Sequence, residues 1–138
     1  MTPRTYRALL LASVVFGILS ALFDTVFPSA LPAAFVQAQA AYDSSLTTLS
    51  LLFGGIGGLV LLVIGVTSTV GLYQFRPWAP RLAVITTALA LPLISLLGTT
   101  ASSGYAIALN EISFTLWGAV VALAYFSPLR DCFVRTDR

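Results

Sequence analysis

The chain has 138 residues, 58% hydrophobic and 9% charged, against roughly 25% charged residues in an ordinary soluble domain. Its formal net charge is +2, all seven basic residues are arginines, histidine is absent and Cys132 is the single cysteine. That inventory excludes an internal disulfide framework and removes the commonest ligand for zinc and related metals. A water-soluble fold of this size could not bury so much apolar surface. In lipid the costly groups are unpaired backbone amides, so helices or a closed barrel remain, and continuous apolar runs without strand-like alternation specify helices. The expected class is all-α: a polytopic membrane protein forming a four-helix transmembrane bundle, residues 1–138 as one domain.

Arg4 and Arg7 precede an apolar run over Ala8–Phe27, read as the first transmembrane helix and a retained anchor. A cleaved signal peptide fits poorly, because the small-residue site Ala38-Gln39-Ala40 lies far beyond the run, with Asp24, Pro28 and Pro32 between. The prolines end that helix. Leu31–Tyr42 is Ala-rich with apolar residues at helical spacing, which predicts a short helix on the outer interface, and Asp43-Ser44-Ser45 reads as a turn or N-cap.

The second helix is expected over residues 46–75. Gly54, Gly58 and Gly65 fall within about 40° of one another on a helical projection, making a groove that lets a neighbouring backbone approach closely. Gln74–Arg81, QFRPWAPR, is a tight inner loop, with Arg76 and Arg81 as charge anchors and Trp78 as an interfacial ring. The third helix is expected over 82–97 with Pro92 inside it, Gly98–Gly104 as an outer loop, and the fourth over 105–127. In the tail, 128–138, Leu129, Cys132 and Phe133 share one side of one or two helical turns.

The arginines form three clusters: Arg4 and Arg7; Arg76 and Arg81; Arg130, Arg135 and Arg138. All fall on one side of the expected spans, so the positive-inside rule places both termini in the cytoplasm, and a multi-pass protein of a bacterial plasma (inner) membrane is the expected setting. So strong a bias weighs against a dual-topology small multidrug exporter, as does the lack of an acidic residue in the middle of the first helix. Clusters at segment ends, without interleaved stacking aromatics, give no nucleic-acid surface.

Two carboxylates lie within apolar segments. On the first helix Ser13, Gly17, Ser20 and Asp24 follow i, i+4, i+7, i+11; on the fourth, Glu111, Thr115, Gly118, Ala122 and Tyr125 continue the same spacing. Small and hydroxylic stripes favour helix contacts over lipid, so both acids are expected to face inward. Counted from Arg7 and Arg130 at the helical rise, both stand about 25 to 29 Å up. Asp24, Glu111 and Asn110 are therefore the candidate proton or cation site, with Gly17, Gly54, Gly58, Gly65 and Gly118 as packing positions. No nucleophile beside a base, no phosphate loop and no paired cysteines occur, so neither enzymatic activity, a cofactor nor a resident metal is expected. The expected function is a non-enzymatic scaffold or accessory subunit acting through helix packing with a membrane-protein partner or further copies; the alternative is a small proton- or cation-linked transporter component using Asp24 and Glu111.

Overall fold

The computed structural model describes residues 2–27, 31–45, 48–96 and 102–134, and the described residues are helical, without strands. The helices are α1 (Pro3–Val26), α2 (Ala33–Ser45), α3 (Thr48–Tyr73), α4 (Ala79–Leu96), α5 (Gly104–Phe126) and α6 (Arg130–Val134). Three are long and apolar enough to cross a membrane: Pro3–Val26, Gly55–Tyr73 within α3, and Gly104–Phe126. The apolar part of α4 is shorter, Ala79–Pro92.

Two helices begin earlier than the apolar runs predict, for local reasons. Thr2 is an extended N-cap (φ −92°, ψ 154°) whose hydroxyl accepts the Thr5 N–H, and Pro3 follows it. Proline suits a first helical position, where its missing donor would have had no partner. Arg4 and Arg7 thus lie in the first turns of α1 rather than before it. Pro80, the second residue of α4, is likewise tolerated in a first turn, and that helix starts at Ala79 rather than residue 82. Downstream of Pro32, α2 runs on through Ser45, so Asp43-Ser44-Ser45 belongs to that helix and does not form a turn.

The end of α3 uses a less common device. The Phe75 N–H bonds the Leu72 carbonyl (3.2 Å) and the Arg76 N–H the Gly71 carbonyl (2.9 Å), the two bonds of a Schellman closure. The left-handed position that closure requires is usually glycine, but here it is Phe75, at φ 58°. A side chain in that region costs roughly 1–2 kcal/mol, and the packing of the ring offsets it.

Helix α1 packs along α5 and α3 along α4, with α4 touching α5 and α1 touching α3. Buried apolar side chains gather at one end of the bundle: Tyr6 and Leu10 from α1, Leu72 and Phe75 from the end of α3, Ala79 and Ala83 from the start of α4, Val120 and Ala124 from α5, and Leu129 and Phe133 beyond it. The rings of Tyr6, Phe75 and Phe133 pack with centroids 5.2–6.0 Å apart, Phe133 edge-on to the other two. Beside them Arg7 donates from Nε to the Tyr73 carbonyl (3.2 Å) and lies over the Tyr73 and Phe75 rings. These contacts bring Arg4, Arg7, Arg76, Arg81 and Arg130 to the same end. Arg135 and Arg138 lie outside the described residues. In the tail, Leu129 and Phe133 are buried and Cys132 half-buried while Arg130 and Asp131 are exposed. Away from this core, large apolar side chains such as Leu11, Val15, Leu59, Leu62 and Val66 are exposed, as expected where lipid is the surrounding solvent.

A candidate polar site at the interface of α1 and α5

The stripe on α1 meets α5 residue by residue. Ser113 Oγ donates to the Ser13 carbonyl (2.8 Å), and Ser20 Oγ donates to the Ala106 carbonyl (2.8 Å). Between them, a Cβ added to Gly17 would lie 3.1 Å from Ser113 Oγ. At the top Asp24 Oδ2 accepts the Ser103 N–H at 2.9 Å. Rising positions on α1 pair with falling positions on α5, so the two helices are antiparallel.

The Asp24 contact completes a helix cap across the interface. Ser103 is the N-cap of α5, with its hydroxyl accepting the Ala106 N–H (3.2 Å). In a capping box, an acidic or amide side chain at the third helical position returns to the N-cap's own N–H. That position in α5 is Ala106, which has nothing to offer, and Asp24 supplies the carboxylate from α1 instead. A negative group is favoured there by the aligned peptide dipoles at the helix N-terminus.

The other carboxylate oxygen, Asp24 Oδ1, is buried and has no hydrogen-bond partner among the described residues. Asp24 as a residue lines a cavity of about 400 Å³ together with Gly17, Ser20, Ser102, Ala106 and Asn110 among others. Asp24 and Asn110 therefore share a cavity. Glu111 does not line it: with Thr115, Gly118, Ala122 and Tyr125 it is exposed, on the face of α5 turned away from α1. The inward orientation expected of that stripe is corrected here. Helix α5 carries a second set, Ala106, Ser113, Val120 and Ala124, and α1 packs against that one.

The glycines separate in the same way. An added Cβ would meet nothing within 4 Å at Gly58, Gly65 or Gly118, so the predicted α3 groove holds no neighbour among the described residues. Gly54 lies in α3, and its surroundings fall outside the described side chains. The close approach on α3 occurs at Gly71, where Trp78 and Ala79 fold back against the helix. Trp78 thus covers a glycine besides being exposed at the arginine end. Gly71, Ser103 and Ser113 are the positions that sequence reasoning missed. Of these only Ser103, a serine before an apolar run, carries a local signal.

A second cavity of about 430 Å³ lies between α1, α4 and α5, with Ser13, Thr86, Thr87 and Ser113 in its lining. Its hydroxyls are already engaged: Ser13 with the Leu10 carbonyl, Thr86 with Leu82, Thr87 with Ala83, and Ser113 with Ser13. Trp117 Nε1 donates to Thr87 Oγ1 (3.1 Å). Among the described residues no group of three or more His, Cys, Asp or Glu side chains is placed to hold a metal.

If Asp24 serves chiefly as the cap, Asp24→Ala should destabilise the protein by about 1–3 kcal/mol, the cost of a buried amide left without a partner. Asp24→Asn keeps an acceptor for the Ser103 N–H and should cost less. Thermal unfolding of both variants in one detergent checks the order. Comparison of the chain with protein-family models, with curated proteins and with solved structures gives no match.

Proposed function

We propose that this protein is a non-enzymatic accessory or scaffold subunit of a bacterial plasma membrane, spanning it four times with both termini in the cytoplasm. The observation that carries the reading is how the polar side chains of the spans are used. The hydroxyls of Ser13, Ser20, Thr67, Ser68, Thr69, Thr86, Thr87 and Ser113 all donate to backbone carbonyls, and Asp24 caps α5. Ser20 and Ser113 tie α1 to α5 while the other six hydroxyls return to carbonyls of their own helices, and groups so engaged leave little to line a path for solute. The positions of the helix ends support a fourth crossing. Helix α4 starts beside the arginine end and α5 starts at the opposite end, which favours one more crossing between them, in α4. Its 18 residues extend ~27 Å at the helical rise. Arginines at one end favour that end as the cytoplasmic one.

The test is purification in mild detergent with mass measurement of the intact complex. A defined partner subunit is the expected result, and a chain that remains alone in native membranes would overturn the reading. Gly58→Leu localises the contact. Because a side chain there enters open space, the isolated variant should stay within about 0.5 kcal/mol of the parent while losing its partner. Retention of the partner would remove α3 as the packing face.

The transporter reading has one observation in its favour: Asp24, which lines the same cavity as Asn110, has a buried Oδ1 without a hydrogen-bond partner among the described residues. In that case Asp24→Asn abolishes proton- or cation-dependent flux into proteoliposomes, and Glu111→Gln, on the exposed face, leaves it intact. Equal flux in the Asp24 variant and the parent would dismiss the reading.

A further inference from the structure

We infer that the arginine end carries a binding site for the phosphate headgroup of an anionic phospholipid, formed by Arg81 and Arg130. A cavity of about 430 Å³ opens between the connection from α3 to α4 and the turn from α5 to α6, and its lining includes Pro77, Pro80, Arg81, Tyr125, Phe126 and Arg130. That volume falls within the ~300–1,000 Å³ of small-molecule sites.

The two guanidiniums come from elements far apart in sequence, and only the fold makes them neighbours around one hollow. Neither is paired with a carboxylate among the described residues. Asp131, next to Arg130, does not line the cavity. Arginine presents planar, forked donors that match phosphate oxygens, and two of them satisfy a phosphodiester more fully than one. The prolines give the wall a fixed backbone.

The neighbouring surface distinguishes a lipid from a free anion. Phe126, the last residue of α5, is 91% exposed although it borders the cavity. A large ring so exposed at the end of a span suits acyl-chain contact just above a headgroup. The cavity also lies at the end where the arginines meet the membrane surface, the level at which lipid phosphates are found. This inference needs only that the helices cross a membrane; it stands whether the protein is a scaffold or a transporter.

Native mass spectrometry of the full-length protein in detergent, titrated with phosphatidylglycerol or with phosphatidylcholine of the same acyl chains, tests it. Phosphatidylglycerol should be retained and should raise the unfolding temperature, with both effects falling as salt rises; phosphatidylcholine should do neither. Arg81→Gln and Arg130→Gln should each weaken phosphatidylglycerol binding about five-fold, and the double variant about thirty-fold. Both side chains are exposed, and if the double variant does not fold, the single variants carry the test. Arg4→Gln with Arg76→Gln removes the same charge from the same end and should change affinity less than two-fold. Equal loss in that control would mean a diffuse basic surface and overturn the site. Displacement of the lipid by millimolar inorganic phosphate would assign the cavity to a free anion and overturn the lipid.

Discussion

Tyr6→Ala should destabilise the protein by about 3–5 kcal/mol, the range for removing a buried aromatic side chain, while Tyr6→Phe should be neutral or stabilising. Tyr6 is completely buried. Its ring sits 5.5 Å from Phe75 and 6.0 Å from Phe133, centroid to centroid, so it joins the start of α1 to the end of α3 and to α6. Removing the ring leaves a void bordered by three separate elements, none of which can close it without moving a helix end. It also withdraws support from Phe75, whose left-handed backbone is maintained by the packing of its side chain. The hydroxyl works in the opposite direction: Tyr6 Oη is buried with no hydrogen-bond partner among the described residues. Deleting it removes a desolvated polar group that returns nothing to the fold. Unfolding by a graded denaturing detergent, followed by the fluorescence of Trp78 and Trp117, measures both variants. A stability loss in Tyr6→Phe comparable to that in Tyr6→Ala would mean that the hydroxyl is bonded.

The aromatic cluster shows what kind of feature a single sequence hides. Tyr6, Phe75 and Phe133 lie in three distant segments, and no periodicity connects them. Each of the three helices long and apolar enough to cross a membrane, by contrast, is legible from its own apolar run. Boundaries differ where a local cap outweighs the run, at Thr2-Pro3 and at Pro80, where α2 continues through Asp43-Ser44-Ser45, and where the Phe75 closure ends α3 at Tyr73. The face of α1 was legible because its small and polar residues form one stripe, Ser13 to Asp24, and α5 bonds to it. On α5 two stripes of small or polar residues compete, one through Glu111 and Gly118 and one through Ala106 and Ser113. A helix considered alone has no means of choosing between them. The partner decides: the hydroxyl of Ser113 and the carbonyl of Ala106 face α1, which turns Glu111 outward. For the candidate site this separated the two acids and left Asp24 with Asn110. The pairing of Asp24 with the Ser103 amide spans 79 residues, and could be read only once α1 and α5 were known to be antiparallel neighbours.

The glycines of α3 lead to the second large effect. Gly71→Leu should destabilise the protein by more than the about 1–3 kcal/mol usual for overpacking a core, whereas Gly58→Leu should leave the isolated chain nearly unchanged. A Cβ at Gly71 would lie 2.6 Å from Trp78 Cη2 and 2.8 Å from both Trp78 Cζ3 and Ala79 Cβ. These obstacles differ in kind. The indole is 45% exposed and has room to swing outward. Ala79 Cβ is fixed to the first residue of α4 and fully buried, so relieving it means moving one helix from the other. Any such movement also pulls on the Gly71 carbonyl, which accepts the Arg76 N–H and closes the turn. Thermal unfolding of Gly71→Ala, Trp78→Ala and the double variant separates the two. If the indole were the whole obstacle, Trp78→Ala would rescue Gly71→Ala fully. Partial rescue is expected, with the remaining loss assigned to Ala79, because a glycine is needed where the α3–α4 turn brings two backbones together.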